Sequence, residues 1–296
     1  MISIAAVNAF LMPSRTALTA AAARAAHLIV DQPPYIFEDT AAVALLGDRA
    51  DDLIRYHREH GSHPVLVAAR AQAVCRSRYT EDRIAEAVAR GVRQYVLLGA
   101  GLDTFSIRSP LGGRLRVFEV DHPATQGWKR QALAAAHLPV PPHVTLVPAE
   151  LGADSLIAAL QSAGFDLTAP AVVGWLGVTM YLDVRAITET LAALSAFAPG
   201  TEVIVDYMLP AGLRDQTADD YVSQVSQAAA DWGEPWRSFL APDDMQAMLG
   251  EHGFSALEHV RQRAFVPAGL WERADLLHPT DLSMITRAVR DPRAAG

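Results

Sequence analysis

The alternation of short strand-like runs with helical runs, which begins near residue 93, most constrains the fold of this 296-residue chain. Short runs of β-branched and other apolar residues are separated by longer stretches with helical periodicity. Strands that alternate with helices are typical of βαβ units and a parallel sheet. The strand-like runs cover residues 94–98, 115–120, 144–148, 171–176, 202–206, 255–260 and 284–289.

The run 183–198 is the clearest of the helices predicted between these strands. Its apolar residues recur at spacings of three and four, so they fall on one face. Asp183 is a candidate N-cap, and Gly200 lies just past the predicted end of the helix. Further helices are predicted over 122–137, 153–163 and 242–252. The last two strand-like runs are predicted to form a hairpin that adds an antiparallel strand to a seven-stranded, mostly parallel sheet.

The first third of the chain lacks the strand pattern and is predicted to be helical over 14–30 and 64–90. We predict an N-terminal helical cap over 1–91 and a cofactor-binding α/β domain over 92–296. A stretch without strand pattern, 208–241, is predicted to be an insertion that covers the site. Its aromatic residues either line a pocket or pack the insertion onto the domain, and they are Tyr221, Trp232, Trp236 and Phe239.

Composition excludes several classes of partner. The formal net charge is −8, whereas nucleic acid and anionic membranes favour basic surfaces. Cys75 is the only cysteine, so no disulfide can form within the chain. The apolar first dozen residues lack the basic start and cleavage site of a signal peptide, and Arg15 and Arg24 interrupt the apolar stretch after them. We therefore expect a cytoplasmic protein that does not bind a membrane.

A glycine-containing turn at residues 96–104, VLLGAGLDT, is the sharpest local feature. Gly99, Ala100 and Gly101 follow the first strand, where glycines let the backbone approach a ligand and leave amide donors free. Glycines at the end of a strand can also serve only a tight turn. In a parallel sheet, however, ligands bind beyond the carboxyl ends of the strands, which is where this turn is predicted to lie.

An acid after the next strand indicates an adenosine cofactor. Asp121 lies 20 residues after Gly101, a spacing at which a carboxylate binds ribose hydroxyls, although it is also a candidate helix N-cap. The third glycine of a dinucleotide fingerprint is replaced by Thr104, and the neighbouring carboxylate of Asp103 suits a pyrophosphate poorly. A cofactor with a sulfonium and an ammonium group fits better, and we predict S-adenosylmethionine, which leaves S-adenosylhomocysteine as product.

These motifs resemble the leucine carboxyl methyltransferase family, in particular its bacterial branch of S-adenosylmethionine-dependent O-methyltransferases. The resemblance runs from about residue 16 onward. It depends on the combination of RSRY (76–79), QYVLLGAGLDTFSIR (94–108), VFEVDHP (117–123) and GVTMYL (177–182). It implies the Rossmann-like fold of class I methyltransferases. One departure concerns Leu176, which stands where the family has a glutamate that helps to hold the cofactor's ammonium group.

The resemblance also implies roles for single residues. Arg76 is expected to pair with the carboxylate of the cofactor's methionine, and Asp121 to bind its ribose. Tyr181 is expected near the reacting groups. The remaining implied cofactor contacts are Gly99, Ala100 and Gly101 under the methionine portion and Glu150 and Leu151 beside the adenine, with Leu176 at the altered position.

Candidate catalytic groups are few. We name Tyr181, His27 and Arg24, because the N-terminal helix that carries the last two forms part of the pocket in the family that this chain resembles. The alternative for His27 is a packed core histidine. The histidines of the polar run 57–63 are interpreted as a solvated helix end rather than a metal site, Cys75 as an inert thiol, and the lack of a GxSxG motif disfavours a hydrolase.

The sequence thus predicts methyl transfer to an oxygen of a small metabolite, most simply to a carboxylate, which needs no general base. A hydroxyl acceptor would need a base, and His27 or Tyr181 would then be the first candidates. Two alternatives stay open. The chain could methylate the C-terminal carboxylate of a protein, or it could have lost methyl transfer and serve as a binding module. The oligomeric state is not written in the sequence.

Overall fold

A computed structural model describes residues 14–291, and the apolar first dozen residues of the sequence lie outside that range. Seven strands form one sheet in the order β3-β2-β1-β4-β5-β7-β6. The strands are β1 (Gln94–Leu98), β2 (Arg116–Asp121), β3 (Val144–Pro148), β4 (Ala171–Trp175), β5 (Glu202–Met208), β6 (Phe254–Arg261) and β7 (Ser283–Arg290). Strands β1 to β5 are parallel, and β7 runs antiparallel to both β5 and β6. The predicted seven-stranded, mostly parallel sheet is confirmed.

Helices surround the sheet and form most of the N-terminal part. The α-helices of the described residues are α1 (Arg15–Val30), α2 (Ala42–Leu45), α3 (Ala50–His60), α4 (Pro64–Ala89), α5 (Phe105–Arg108), α6 (Pro123–Ala135), α7 (Leu156–Ser162), α8 (Val184–Leu194), α9 (Gln216–Asp231) and α10 (Pro242–Glu251). Asp183 caps α8 as predicted, because its side chain accepts the N–H of Ala186 at 2.8 Å. The insertion is partly helical, since α9 lies within it. No helix in the described range is long and apolar enough to cross a bilayer.

Each face of the sheet buries its own apolar cluster. In β1, Val96 and Leu98 pack towards α7, α8 and α10, whereas Tyr95 and Leu97 pack towards α4. This alternation follows from the two-residue period of a strand. Both faces are covered, which explains why β1, β4 and β5 are buried along their whole length and mostly apolar.

The predicted boundary at residue 91 falls inside one continuous core. Helix α4 contributes Val67, Val74 and Ile84 to the cluster that covers the sheet, together with Val117 and Val172 from the strands. The helices before α4 pack apart from the sheet, in a cluster that they share with α6 and the turn after β1. The part of the predicted cap that lies away from the sheet core therefore ends before Pro64.

The histidine run 57–63 is not uniformly solvated, so that part of the interpretation is wrong for His57. His60 is exposed and the ring of His63 caps α4, but only 5% of the surface of His57 is accessible. Burial and the positive charge of Arg70 lower the pKa of His57 to about 4, and the negative charge of Asp31 opposes them. Its Nδ1 atom is buried without a hydrogen-bond partner.

His57 should make the protein lose stability in mild acid. Between the unfolded pKa of 6.5 and the folded value of about 4, the unfolded chain holds the proton and the folded chain does not. Unfolding free energy should thus fall by about 3 kcal/mol as the pH drops through this window. Urea unfolding from pH 7 to pH 4 measures it. In His57→Leu the loss should be smaller by that amount, and in the exposed control His60→Leu it should match the wild type. Parallel curves for His57→Leu and wild type would contradict the assignment.

Candidate active site

The functional candidates gather at the carboxyl ends of the central strands. The chain leaves β1 for β2 on one side and returns to β4 on the other, so the sheet reverses its order at β1. In open α/β sheets this reversal opens a crevice in which ligands bind. The glycine turn follows β1, Asp121 ends β2, and the segment from Leu176 to Tyr181 follows β4. The structure therefore brings the main predicted residues to one edge.

The glycine turn requires its glycines for steric reasons. Gly99 and Gly101 have φ angles of +64° and +52°, which side chains rarely adopt. A Cβ atom on Gly99 would lie 2.4 Å from a methyl group of Val178, and one on Gly101 would lie 3.4 Å from the Cβ of Ala17 in α1. The N–H of Ala100 is bonded to the carbonyl of Val120 in β2 at 3.0 Å. The turn is thus packed between β2, the segment after β4 and the N-terminal helix.

Arg24 holds the loop that comes after this turn. Its Nη2 donates to the carbonyl oxygen of Leu102 at 2.6 Å, and its Nε donates to Oδ2 of Asp39 at 2.7 Å. Both charged side chains are almost fully buried. These contacts use Nε and Nη2 of Arg24 for structure, and its catalytic role stays a prediction. Arg24 fixes the loop from the N-terminal side.

Lys129 holds the same loop from the opposite side. Its Nζ donates to the carbonyl oxygen of Asp103 at 2.6 Å and to Oε2 of Glu119 at 2.6 Å. The other carboxylate oxygen of Glu119 accepts the hydroxyl of Ser106 at 2.6 Å. The side chains of Lys129 and Glu119 are 2% and 1% exposed, so the ion pair is shielded from water. The only lysine of the chain is therefore a structural support of the candidate site.

Asp121 closes the glycine turn from β2. One carboxylate oxygen accepts the N–H of Gly101, and the other accepts the N–H of His122 at 2.6 Å. Burial raises the pKa of Asp121, and these two backbone donors and Lys129 oppose the rise. A carboxylate has about four acceptor positions, so Asp121 keeps capacity for the two hydroxyls of a ribose.

Arg76 lies across the segment after β4. Its Nη1 is 3.5 Å from Oδ2 of Asp206, and its side chain is 14% exposed. A Cβ atom on Gly177 would lie 2.6 to 2.8 Å from three atoms of the guanidinium, so only glycine lets the arginine lie there. Asp206 is fully buried in β5 and accepts the N–H of Gly177 at 2.5 Å. One long contact leaves most of the five N–H donors of Arg76 for a ligand.

Tyr181 meets the insertion and the N-terminal helix. Burial raises its pKa, whereas the side chains of Thr16 and Trp236 and the charge of Arg76 lower it. The indole N–H of Trp236 approaches the phenol without reaching hydrogen-bond geometry and is buried without a partner. Tyr221 stacks on Trp236, with ring centroids 6.3 Å apart. The packing interpretation of these aromatic residues agrees with the structure, because the rings pack together and flank Tyr181. That they line a pocket stays a prediction.

His27 has no free nitrogen for catalysis. It is completely buried, its Nδ1 lies 2.9 Å from Oδ2 of Asp31, and its Nε2 accepts the N–H of Ile36 at 3.0 Å. These partners require the neutral tautomer with the proton on Nδ1, which donates to Asp31. The structure favours a packed core histidine over a general base at His27.

Glu150 and Leu151 form the turn after β3. Glu150 is exposed and its N–H donates to the carboxylate of Asp154 at 2.8 Å, while Leu151 packs partly against the core. The N–H of Ala149 donates to the carbonyl of Asp121 at 3.0 Å, which places this turn beside the ribose candidate. A cleft of about 340 Å³ lies between this turn and α8. Leu176 packs partly against the cluster on the α4 face and carries no charge.

The sequence interpretation missed the residues that support these groups from a distance. Asp206 had a signal, because it stands at the end of the apolar run 202–206 that the sequence predicts as a strand. Lys129 had none, because a single polar residue in a helix does not reveal a partner far away in the chain.

Replacing Lys129 should destabilise the protein through its buried partner. Lys129→Met leaves the carboxylate of Glu119 buried without its cation, and breaking such a pair costs about 3–5 kcal/mol. Urea unfolding measures the loss. The double variant Lys129→Met/Glu119→Gln removes the orphaned charge and should recover part of the stability. A single variant as stable as the wild type, or a double variant no better than the single one, would show that this ion pair does not support the loop.

Comparison with known proteins agrees with this geometry. The model of the leucine carboxyl methyltransferase family matches residues 17–195, more than half of the chain. A Bacillus subtilis protein named as a candidate S-adenosyl-L-methionine-dependent methyltransferase, YktD, is 30% identical over 269 residues, which cover 83% of this chain and 88% of that protein. A Mycobacteroides abscessus protein named in the same way is 31% identical over 253 residues and is covered to 82%, as is this chain.

The fold also matches a solved structure. The crystal structure of a candidate methyltransferase from Thermobifida fusca aligns with a TM-score of 0.59 at 19% identity, over 88% of this chain and 99% of that one. At this identity the likeness concerns the fold alone. The match of the family model and the identity to bacterial relatives decide the assignment. The chain belongs to the leucine carboxyl methyltransferase family and is a methyltransferase with a Rossmann-like fold.

Proposed function

We propose that this chain transfers the methyl group of S-adenosylmethionine to a carboxylate of a small secondary metabolite in the cytoplasm, and that S-adenosylhomocysteine is the product. The family membership and the names of the relatives support the cofactor. One observation carries the choice of a carboxylate. Neither of the predicted bases, His27 and Tyr181, is arranged to remove a proton from an acceptor.

The residues at the sheet edge fit the chemistry of the cofactor. Gly99 and Gly101 add no side chains of their own to the turn, and Asp121 has acceptor capacity for ribose hydroxyls. Arg76 offers free donors to the methionine carboxylate. Glu150 and Leu151 lie beside Asp121, where an adenine attached to that ribose would extend. When bound, the cofactor supplies an electrophilic methyl carbon on a sulfonium.

An ionised carboxylate attacks such a carbon without a proton transfer, so the protein has to orient the acceptor and exclude water. Burial raises the pKa of Tyr181 and of Tyr221, so both phenols stay protonated at neutral pH and act as donors. Protonated phenols and the N–H of Trp236 suit a negatively charged oxygen. A hydroxyl acceptor would instead need a base with a pKa near the working pH.

The first residues of α1 and the insertion support a closed site around these donors. The N–H of Thr16 donates to Oε2 of Glu234 in the insertion at 3.1 Å. The guanidinium of Arg15 lies over the ring of Trp232 at 5.8 Å. The dipole of α1 also favours the carboxylate of Glu234 at the N-terminus of this helix. We infer that the insertion and the N-terminal helices together cover the acceptor, which favours a small molecule over a protein tail.

The fate of the transferred methyl group tests the proposal. With S-adenosylmethionine labelled in its methyl group and an extract of small metabolites as acceptors, the label should enter products that release volatile methanol in mild alkali. Carboxyl methyl esters do so, whereas methyl ethers and N-methyl groups do not. Peptides with free C-termini should not be labelled. Alkali-stable label would overturn the carboxylate, labelled peptides would favour the protein alternative, and a complete lack of transfer would favour the binding module.

Tyr181→Phe separates a donor from a base in the same assay. Loss of a general base costs about 10²- to 10⁴-fold in rate, whereas loss of one hydrogen-bond donor costs about tenfold. We expect turnover to fall by no more than about tenfold. A fall of a hundredfold or more, with an alkali-stable product, would assign Tyr181 as the base for a hydroxyl acceptor.

Asp121→Ala should weaken binding of both S-adenosylmethionine and S-adenosylhomocysteine by at least about tenfold, because charge-assisted hydrogen bonds to the ribose are lost. Isothermal titration calorimetry measures the dissociation constants. Glu251→Ala, which removes an exposed acid at the end of α10, is the control for the change in net charge. Equal affinities in the wild type and Asp121→Ala would remove Asp121 from the site.

A further inference from the structure

We propose that Asp206 is a positioning residue that directs Arg76 towards the amino-acid end of the cofactor. This inference depends on the proposed function, since it assigns the support of a residue in that site. Asp206 has no accessible surface, so it acts through its neighbours and not through contact with a ligand. Those neighbours are the partners of its two carboxylate oxygens.

The two oxygens of Asp206 have different partners. Oδ1 accepts the N–H of Gly177 at 2.5 Å, which fixes the backbone directly after Leu176. Oδ2 lies 3.5 Å from Nη1 of Arg76 and 3.5 Å from Nε2 of Gln72. One acid therefore sets both the segment after β4 and the arginine that lies across it. The hydroxyl of Thr179 donates to the backbone carbonyl of Asp206 at 2.7 Å and strengthens the same link.

A buried network fixes the direction of the Gln72 amide. Its Nε2 donates to the hydroxyl oxygen of Ser283 in β7 at 2.6 Å, and its Oε1 accepts from Nε2 of Gln262 at 2.7 Å. Oε1 of Gln262 in turn accepts the N–H of Thr280 at 2.6 Å. The N–H of Thr280 needs an acceptor, so Oε1 of Gln262 faces it and Nε2 of Gln262 donates to Oε1 of Gln72. The N–H₂ group of Gln72 therefore has to face Asp206. A complete polar network of this kind holds its members in one arrangement.

Arg76 is confined on two sides by this arrangement. The carboxylate of Asp206 lies at one side, and the bare backbone of Gly177 lies against the plane of the guanidinium. A free arginine side chain loses rotamer entropy when it is fixed. Asp206 contributes to that ordering before the ligand binds, so binding has less left to order. The long Nη1–Oδ2 contact orients the arginine without occupying its remaining N–H donors.

The charge of Arg76, which Asp206 supports, also fits the amino-acid end of the cofactor. Burial raises the pKa of Asp206, and Arg76, the N–H of Gly177 and Gln72 oppose the rise. Arg76 presents a positive charge to the site, whereas the charge of Asp206 is buried and acts through its neighbours. The carboxylate of an amino-acid group carries the charge complementary to Arg76. Leu176 carries no charge. The acid that contacts the segment after β4 is Asp206, which accepts the N–H of Gly177.

Three ligands and a double-mutant cycle test this assignment. S-adenosylhomocysteine carries the amino-acid end, and 5′-methylthioadenosine lacks it. Asp206→Asn keeps the shape of the side chain and an oxygen for Gly177 but removes the charge. We expect it to weaken S-adenosylhomocysteine about tenfold or more and to leave 5′-methylthioadenosine unchanged in calorimetric titration. Asp121→Ala should weaken both ligands. Adenosine, as a third ligand, should behave like 5′-methylthioadenosine.

The cycle with Arg76→Gln decides whether Asp206 acts through the arginine. If it does, Asp206→Asn should have little further effect in the Arg76→Gln background, because coupled residues are not additive. Additive losses, or a parallel loss of 5′-methylthioadenosine in a folded variant, would overturn the inference. Should Asp206→Asn not fold, Gly177→Ala tests the same placement of the arginine, since its Cβ displaces the guanidinium. A wild type that binds neither ligand would overturn the proposed function itself.

Discussion

The candidate site depends on two buried cations that hold two consecutive backbone carbonyls. Arg24 binds the carbonyl of Leu102, and Lys129 binds that of Asp103, directly after the glycine turn. Gly99 and Gly101 have no side chains to anchor them. The contacts of the next residues, Leu102 and Asp103, therefore help to fix the position of the turn. Each cation is also paired with a buried carboxylate, which offsets the cost of removing its charge from water.

These contacts make the N-terminal helix a part of the site and not an appendage. Arg24 reaches the loop from α1, Ala17 of the same helix lies against Gly101, and Thr16 is bonded to the insertion. Lys129 reaches the same loop from α6. The loop that would receive the cofactor is therefore held between α1 and α6, which are far apart in the chain. A substitution that displaces either helix is expected to displace the loop.

The periodicity of apolar residues predicted the fold because it reflects which face of each helix or strand is buried. That pattern of burial follows from the architecture itself. The apolar strands, the glycine turn and Asp121 could be found because their signals lie within a few residues of each other or at a fixed spacing. The roles of Arg24, His27 and His57 could not, because a helix position shows its face but not its partner. Arg24 binds a carbonyl 78 residues away, and only tertiary packing determines that. The end of an apolar strand was the one signal that could have revealed Asp206.

The distribution of charge at the sheet edge agrees with a displacement that needs no proton transfer. The acids and bases that a sequence search would select for catalysis are used for structure instead, since His27 binds the backbone of Ile36 and Asp206 binds that of Gly177. The groups that surround Tyr181 are donors, namely protonated phenols and a buried indole N–H without a partner. Such donors suit the ionised oxygen of the carboxylate acceptor that we propose. In the reaction that we propose, the fixed geometry around the glycine turn would also be what orients the acceptor against the methyl group.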